Sequence, residues 1–227
     1  MGLVTGLTGA ADRPLATATH PGLPALPAHA VSGMEPDVLE AIRRPTINLA
    51  LWERRPLTDL GADRIGKEMD GIARLDLAGG PEEIGILLRA AMIAANVPDR
   101  LATALAEDAG DLAERFAAVM RTGRVDVRLE RLAGDGCKRF HADYMTARLI
   151  TTYAGPGTEW LSTADASRVT GGKAPEDAVV RRMATGSVGV MKGRLWSEQA
   201  PIVHRSPPIA GTGATRLVLV VDVSEPA

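Results

Sequence analysis

The 227-residue sequence lacks several features that would assign a protein to a class. It has one cysteine, Cys137, so no disulfide can form within the chain and a reducing compartment is permitted. No stretch approaches the roughly 18 consecutive apolar residues that a membrane helix needs, and the N-terminus lacks the basic region of a signal peptide. The formal net charge is −2, which gives no electrostatic reason to expect nucleic acid or an anionic membrane as the main partner. We therefore expect a soluble, cytoplasmic protein.

Aromatic residues and histidines are also scarce. Aromatic side chains make up 3% of the chain, and only four histidines occur. Two of these, His20 and His29, lie in a leader rich in proline, alanine and glycine, where they are too isolated to indicate ligands. The other two are His141 and His204, and any chemistry that needs imidazole is expected at these positions.

The sequence divides into three parts. Residues 1–34 show no hydrophobic period and are predicted to form a flexible arm. Residues 35–123 are predicted to be mainly helical, with a strand over 47–52 and a helix over 59–69. A longer helical signal follows over 81–120, interrupted by Pro98. Because 45% of the residues are hydrophobic, one core-bearing domain with appendages is expected.

The third part, residues 124–227, has the pattern of a β-domain. Short alternating or apolar runs are separated by glycine and proline, which is typical of a sandwich or a jelly-roll barrel. The run Leu217–Val223 is almost wholly apolar and is predicted to be a central strand. The expected fold class is therefore α+β, with a helical N-terminal half packed on a C-terminal barrel. Strands are predicted over 124–131, 140–145, 147–153, 187–191, 201–204 and 216–223.

The segment around His141 predicts a metal site. His141 and Asp143 are two residues apart, so on a strand they would point to the same face of the sheet. A second imidazole, from His204, would complete a two-histidine, one-carboxylate set, which suits non-haem Fe(II) and leaves coordination positions open. The alternative is a hydrogen-bonded histidine–aspartate pair in a polar core.

Several cations are candidates to bind a carboxylate co-substrate. Arg216 begins the last predicted strand, and its guanidinium could bind a carboxylate through two parallel hydrogen bonds. Arg148 and Arg205 lie near the predicted ligands in sequence and could take the anion instead, while Arg216 could be an ordinary charge at a strand end. Tyr153, a further candidate for cofactor binding, and Trp160 could shape the pocket, although packing of Trp160 on the core is favoured.

The order of these residues resembles that of the Fe(II)/2-oxoglutarate oxygenases. The shared pattern is His-x-Asp, a distant histidine and an arginine about a dozen residues later. The resemblance implies a double-stranded β-helix, a cupin-like barrel, with His141, Asp143 and His204 as iron ligands and Arg216 binding the distal carboxylate of 2-oxoglutarate. It covers about residues 124–223.

A second resemblance is more specific, and it is to the bacterial domain of unknown function 1826 family. It spans most of the C-terminal half and implies no reaction. The blocks that carry it are Arg139-Phe140-His141-x-Asp143, Arg148-Leu149-x-x-Thr152-Tyr153-x-Gly155-Pro156-Gly157-Thr158-Glu159-Trp160, Lys192-Gly193 and His204-Arg205-Ser206-Pro207-Pro208.

The leading functional hypothesis is an Fe(II), 2-oxoglutarate-type oxygenase acting on a small molecule or another, unknown substrate. A zinc-binding protein of metal homeostasis or sensing is the alternative, because three protein ligands can also hold zinc. A metal-free, cupin-like binding domain is a third. Cys137 is predicted to be a small buried residue rather than a ligand or reactive thiol, and Ser206 lacks the glycine-rich elbow of a hydrolase nucleophile. The N-terminal half is expected to complete the pocket or to form a homodimer face.

Overall fold

Two sheets form the framework of the protein. The computed structural model describes residues 25–57, 68–69 and 71–224. Its strands are β1 (Ala30–Gly33), β2 (Leu49–Trp52), β3 (Arg74–Gly79), β4 (Val125–Leu132), β5 (Ala147–Ala154), β6 (Glu159–Trp160), β7 (Arg181–Arg182), β8 (Val188–Lys192), β9 (His204–Arg205) and β10 (Arg216–Val223). The larger sheet has the order β1-β2-β8-β5-β10-β4-β3, and the smaller has the order β7-β6-β9.

Strand β10 lies between β5 and β4, so the prediction of a central strand is confirmed. It pairs with β4 along its whole length, in antiparallel register. Alternate side chains point to opposite faces of a strand, so Leu217, Leu219 and Val221 enter one core while Val218 and Val220 enter another. The near-continuous apolar run of this strand is explained by the burial of both its faces.

Helices cover one face of the larger sheet. Two long helices occupy the region predicted to be helical, and Pro98 stands just before the second of them, so the predicted interruption is confirmed. Within the described residues, none of the helices combines the length and apolar character that crossing a bilayer requires. The helices are α1 (Ile84–Ala94), α2 (Asp99–Met120) and the short α3 (Thr163–Ala166), with 3₁₀-helices at Pro36–Arg43 and Pro81–Glu83.

The smaller sheet covers the opposite face. Trp160 of β6 is fully buried there, so the interpretation that it packs on the core is the one observed. This second core joins residues of both sheets, namely Ala30, Leu49, Leu51, Ile150, Trp160, Met183, Met191, Ile202, Val218 and Val220. The larger sheet is therefore a middle layer, with helices on one side and the smaller sheet on the other.

The α+β class is confirmed, but a helical N-terminal half distinct from the sheet is not observed. Residues 35–123, expected to be mainly helical, give β2 and β3 to the same sheet as β10, and β1 precedes them in that sheet. The strand predicted over 47–52 is present as β2. Residues 30–33, placed in the predicted arm, form β1 and pair with β2. Residues 1–24 of that arm and nearly all of the helix predicted over 59–69 lie outside the described residues.

His29 joins the segment before β1 to the first residue of α3, and this contact predicts a pH dependence of stability. The backbone N–H of Thr163 donates to its Nε2 at 3.0 Å, which requires a neutral ring. Burial lowers the pKa of His29 below its ordinary value of 6.5, as does the charge of Arg181. A histidine with a lowered folded-state pKa contributes stability above its unfolded-state pKa and loses it as the pH falls. We expect the free energy of unfolding to decrease below about pH 6.5, by at most about 1.4 kcal/mol per pH unit, because the unfolded chain takes up a proton on His29 that the folded state resists.

The measurement is chemical unfolding between pH 5 and pH 8, with H29Q as the matched variant. Glutamine keeps a hydrogen-bond acceptor and does not titrate, so the difference between the two proteins isolates His29 from the other histidines. If the wild type and H29Q lose stability in parallel as the pH falls, His29 is not the group responsible.

Candidate metal centre

His141 and His204 meet through the backbone. Each donates its N–H to the carbonyl of the other, at 3.0 and 2.9 Å, so the two residues form an isolated antiparallel bridge beside β9. Side chains of directly paired residues lie on the same face of a sheet. The two imidazole rings are accordingly neighbours, with centroids 4.8 Å apart.

Asp143 lies between the two rings. Its carboxylate oxygens are 3.4 Å from Nε2 of His141 and 3.3 Å from Nε2 of His204. Together the three side chains offer ligand atoms that all lie within 4.8 Å of one another. The predicted ligand set is therefore brought together in space. The predicted strand over 140–145 is absent, however, and Asp143 lies in a loop.

That loop is held by the turn after β8. The N–H of Arg194 donates to the carbonyl of Asp143, and the N–H of Gly193 donates to Thr146. Gly193 is required because a Cβ at this position would lie 2.2 Å from the carbonyl oxygen of Met145. The Lys192-Gly193 block, which has no ligand of its own, thus helps to position the Asp143 loop.

The backbone fixes the orientation of both imidazoles. Nδ1 of His141 lies 2.8 Å from the carbonyl oxygen of Arg139, and Nδ1 of His204 lies 3.2 Å from that of Ile202. When Nδ1 donates to a carbonyl, the lone pair of the neutral ring is on Nε2, and such second hydrogen bonds are typical of metal-binding histidines. In both residues Nε2 is the atom that faces Asp143.

The electrostatic environment keeps Asp143 ionised. Burial by itself raises the pKa of this carboxyl, but hydrogen bonding to His141 and His204 and the nearby charge of Arg148 lower it far below its usual range. The side chain of His204 is 6% exposed and that of His141 is 36% exposed. The centre therefore has a buried side and a side open to an incoming molecule.

The centre lies in a cavity of about 470 Å³ between the two sheets. Arg216 lines the same cavity and is itself 1% exposed. Its guanidinium donates to the carbonyl of Pro156 at 2.6 Å and to Oγ of Ser206 at 2.8 Å, with longer contacts to Thr152 and Thr158. Burial lowers the pKa of Arg216 to about 10, so the group is still charged at neutral pH. No carboxylate of the described residues lies within ion-pair distance of it.

A family model decides the classification. The model of a protein of unknown function, DUF1826, matches residues 33–222. The chain belongs to the DUF1826 family. The closer of the two resemblances in sequence is thus confirmed.

Comparison with solved structures gives distant similarities only. The dioxygenase for auxin oxidation of rice aligns at 15% identity and a TM-score of 0.42, covering 67% of this chain and 57% of that one. The Arabidopsis thaliana dioxygenase for auxin oxidation 1, in complex with 2-oxoglutarate, aligns at 13% identity and 0.39, covering 68% and 64%. A proposed oxygenase of Shewanella oneidensis aligns at 13% identity and 0.45, covering 86% and 89%.

This DUF1826 chain therefore spans less than two thirds of the length of either plant dioxygenase. None of the curated proteins matches it. At such scores the likeness decides neither fold nor activity, and the argument below depends on the geometry of the site.

The other predicted anion-binding cations of the DUF1826 chain are already paired. Arg148 contacts Asp143 and donates to both carboxylate oxygens of Asp222, at 2.8 and 2.7 Å. Arg205 donates to Glu159 at 2.7 Å and stacks over the ring of Phe140. Arg216 is thus the candidate cation without a carboxylate partner among the described residues.

Two further predictions are corrected by the structure. Tyr153 does not line the cavity: it is buried against the helices, and its hydroxyl donates to Asp108 at 2.8 Å. Burial raises the pKa of this phenol, as does the neighbouring Asp108 carboxylate. Cys137 is exposed and lines the cavity, so its prediction as a buried residue is wrong, although it does not belong to the three-residue cluster.

Asp222 was missed by the sequence analysis. It holds the guanidinium that contacts Asp143, so it supports the metal centre indirectly. A signal was present, because Asp222 is a single acid in the apolar run of β10, and a carboxylate in such a strand needs a partner.

Arg148 is expected to position Asp143 for metal binding. Replacing it with lysine keeps the charge but loses the planar fork that spans Asp143 and Asp222. Since the loss of such supporting groups weakens metal sites about 10–100-fold, we expect R148K to bind zinc weaker by that factor. The measurement is competition with a chromophoric chelator, with zinc as a redox-inert probe.

R182K is the matched control for this experiment. Arg182 also pairs with a carboxylate, that of Glu159, but contacts no residue of the metal centre. Equal zinc affinity in R148K and R182K would contradict the positioning role.

Proposed function

We propose that this protein is a mononuclear Fe(II), 2-oxoglutarate-type oxygenase. The observation that carries the proposal is that two different kinds of group lie in one cavity. One is the His141, Asp143 and His204 cluster, and the other is Arg216, a buried cation with no carboxylate partner among the described residues.

The cluster fits a divalent iron. Two imidazole nitrogens and one carboxylate oxygen are the donors that non-haem Fe(II) sites use, and they leave positions open for other ligands. The backbone carbonyls behind both rings and Arg148 behind Asp143 provide the supporting contacts that such ligands need. The exposed flank of His141 provides access.

Arg216 fits the carboxylate of a co-substrate. A buried guanidinium without a counter-charge is unfavourable, and an anion with matching geometry relieves this cost. The hydroxyls of Ser206 and Thr158 lie around the guanidinium and can add hydrogen bonds to a carboxylate. When bound, iron(II) would supply the redox chemistry by which dioxygen oxidises 2-oxoglutarate to succinate and carbon dioxide while oxidising a second substrate.

The residues of the chain would then have separate roles. Arg216 orients the 2-oxoglutarate, and Asp143 and the two histidines hold the metal. The apolar side chains of Ile150, Val218 and Val220, which also line the cavity, exclude water from its inner part. We also propose that the two facing sheets are a variant of the double-stranded β-helix.

Anaerobic titration tests the proposal. Adding Fe(II) and then 2-oxoglutarate to metal-free protein should produce a weak visible absorption band, and admitting air should form succinate. If neither the absorption band nor succinate forms, the oxygenase proposal is wrong. If purified protein instead holds stoichiometric zinc that iron does not displace, and is inert to oxygen, a zinc-binding role is favoured.

A further inference from the structure

Within the described residues, the edge of the larger sheet at β3 has no neighbouring strand. Among the described strands β3 pairs only with β4, on one side. The N–H of Arg131 donates to the carbonyl of Ala73, which makes this a hydrogen-bonded antiparallel pair. Bonded pairs recur at every second residue, so the N–H and C=O groups of Arg74, Asp76 and Ala78 point away from β4. Such a row of unpaired groups is a template for another strand.

The charges on this edge are self-complementary in one register. Arg74 and Asp76 lie two residues apart on the same face and pair with each other through two hydrogen bonds, at 2.6 and 2.8 Å. Their side chains are 50% and 57% exposed, so both can also reach a second chain. If a second copy pairs antiparallel with Leu75 opposite the partner's Leu75, each Arg74 faces the partner's Asp76. Shifting the register by two residues instead places Asp76 opposite the partner's Asp76, which is repulsive.

Helix α1 adds an apolar surface beside the same edge. It packs on β3 and α2, and Leu87 lies near the end of β3, with its Cδ1 3.4 Å from where a Cβ of Gly79 would be. Its exposed apolar side chains include Ile86, 76% exposed, and Ile93, 41% exposed. Ile86 and Ile93 are seven residues apart, which places them on the same side of the helix, and exposed apolar side chains grouped in this way favour an interaction surface. Paired strands lie about 4.8 Å apart, and the axes of packed helices lie about 8–10 Å apart. Two copies joined at β3 would therefore bring their α1 helices close together.

We propose that two copies of the chain form a symmetric dimer through β3, with Leu75 opposite the partner's Leu75 and α1 beside the partner's α1. The proposal does not depend on the oxygenase activity. It has a consequence for the candidate site, because Arg74 lines the metal-centre cavity. In the dimer the partner's Asp76 stands at the rim of that cavity.

The test uses two single charge reversals of the full chain. R74D leaves two acids at the edge, and D76R leaves two arginines. Two copies of the same variant would place like charges opposite each other and repel. A pair of one R74D chain and one D76R chain would place every acid opposite an arginine. Sedimentation velocity should show that the wild type is dimeric, that each variant alone dissociates with a dissociation constant raised about 10-fold or more, and that an equimolar mixture forms a heterodimer.

The mixture separates pairing between copies from local damage to β3, because a locally disrupted strand would not be rescued by a second chain. R115D is the control, since it breaks the exposed ion pair of Arg115 and Asp111 on α2; its assembly should equal that of the wild type. A monomeric wild type at about 100 μM, where a micromolar dissociation constant gives mainly dimer, would overturn the proposal. So would single variants that remain dimeric, or a mixture that stays monomeric.

Discussion

Replacing Asp143 by asparagine is expected to abolish metal binding. The change keeps the size of the side chain but removes the only charged ligand from a centre whose other two donors are neutral imidazoles. Supporting residues alone contribute about 10–100-fold to metal affinity, so loss of a direct ligand should weaken it by more than about 100-fold. The iron content, measured by elemental analysis after reconstitution with Fe(II) under nitrogen, should fall from one iron per chain in the wild type to background in D143N.

D222N is the matched control for this loss. Asp222 shares Arg148 with Asp143 but lies outside the three-residue cluster. We expect D222N to retain iron with reduced affinity, and both variants to keep the circular dichroism spectrum of the wild type. Stoichiometric iron in D143N would show that the metal, if bound, is held elsewhere.

Replacing Arg216 by methionine is expected to remove 2-oxoglutarate binding while leaving the metal in place. Breaking a buried hydrogen-bonded charge pair costs about 2–5 kcal/mol, which corresponds to a loss of affinity of roughly 30- to 4,000-fold. R216K should be almost as defective, because an ammonium cannot replace the two-pronged guanidinium. The absorption band that 2-oxoglutarate produces with Fe(II) reports this binding, and iron content reports the metal.

Arg216 also donates to the carbonyl of Pro156, so R216M is expected to be less stable by about 1–3 kcal/mol. S206A provides a milder variant that leaves the guanidinium in place and removes one hydroxyl beside it. A smaller loss of 2-oxoglutarate affinity in S206A, at wild-type stability, would support the assignment. Unchanged affinity in folded R216M and S206A would exclude this end of the cavity as the co-substrate site.

Elements with strong local signals were predictable from sequence. Strand β10 is marked by its apolar run, and α1 and α2 by their period and by Pro98. Strand β3 was missed although Leu75 and Leu77 alternate with charged residues there. Its partner, β4, lies about fifty residues further along the chain, and no local pattern specifies that pairing.

The three predicted ligand residues do lie together, but for a different reason from the one that the spacing suggested. A common strand does not bring His141 and Asp143 together; the bridge between His141 and His204 and the turn at Gly193 do so. These are contacts between distant segments, which spacing cannot show.

Tyr153 illustrates the opposite error, in which a local rule was available and not applied. Arg148 and Tyr153 are an odd number of residues apart on β5, so a strand must send them to opposite faces. Arg148 reaches the cavity and Tyr153 reaches Asp108 on α2. The two-residue alternation of a strand therefore predicts that Arg148 and Tyr153 do not share a site.

Strand β10 carries both Arg216 and Asp222. They are 222 − 216 = 6 residues apart, so they share a face and are separated by roughly 20 Å at about 3.3 Å per residue. Neighbouring strands hold β10 on both sides, and it can neither stretch nor slide. The spacing between Arg216 and the Asp222 carboxylate that holds Arg148 is consequently set when the chain folds, so a ligand of the proposed kind would meet a preorganised site.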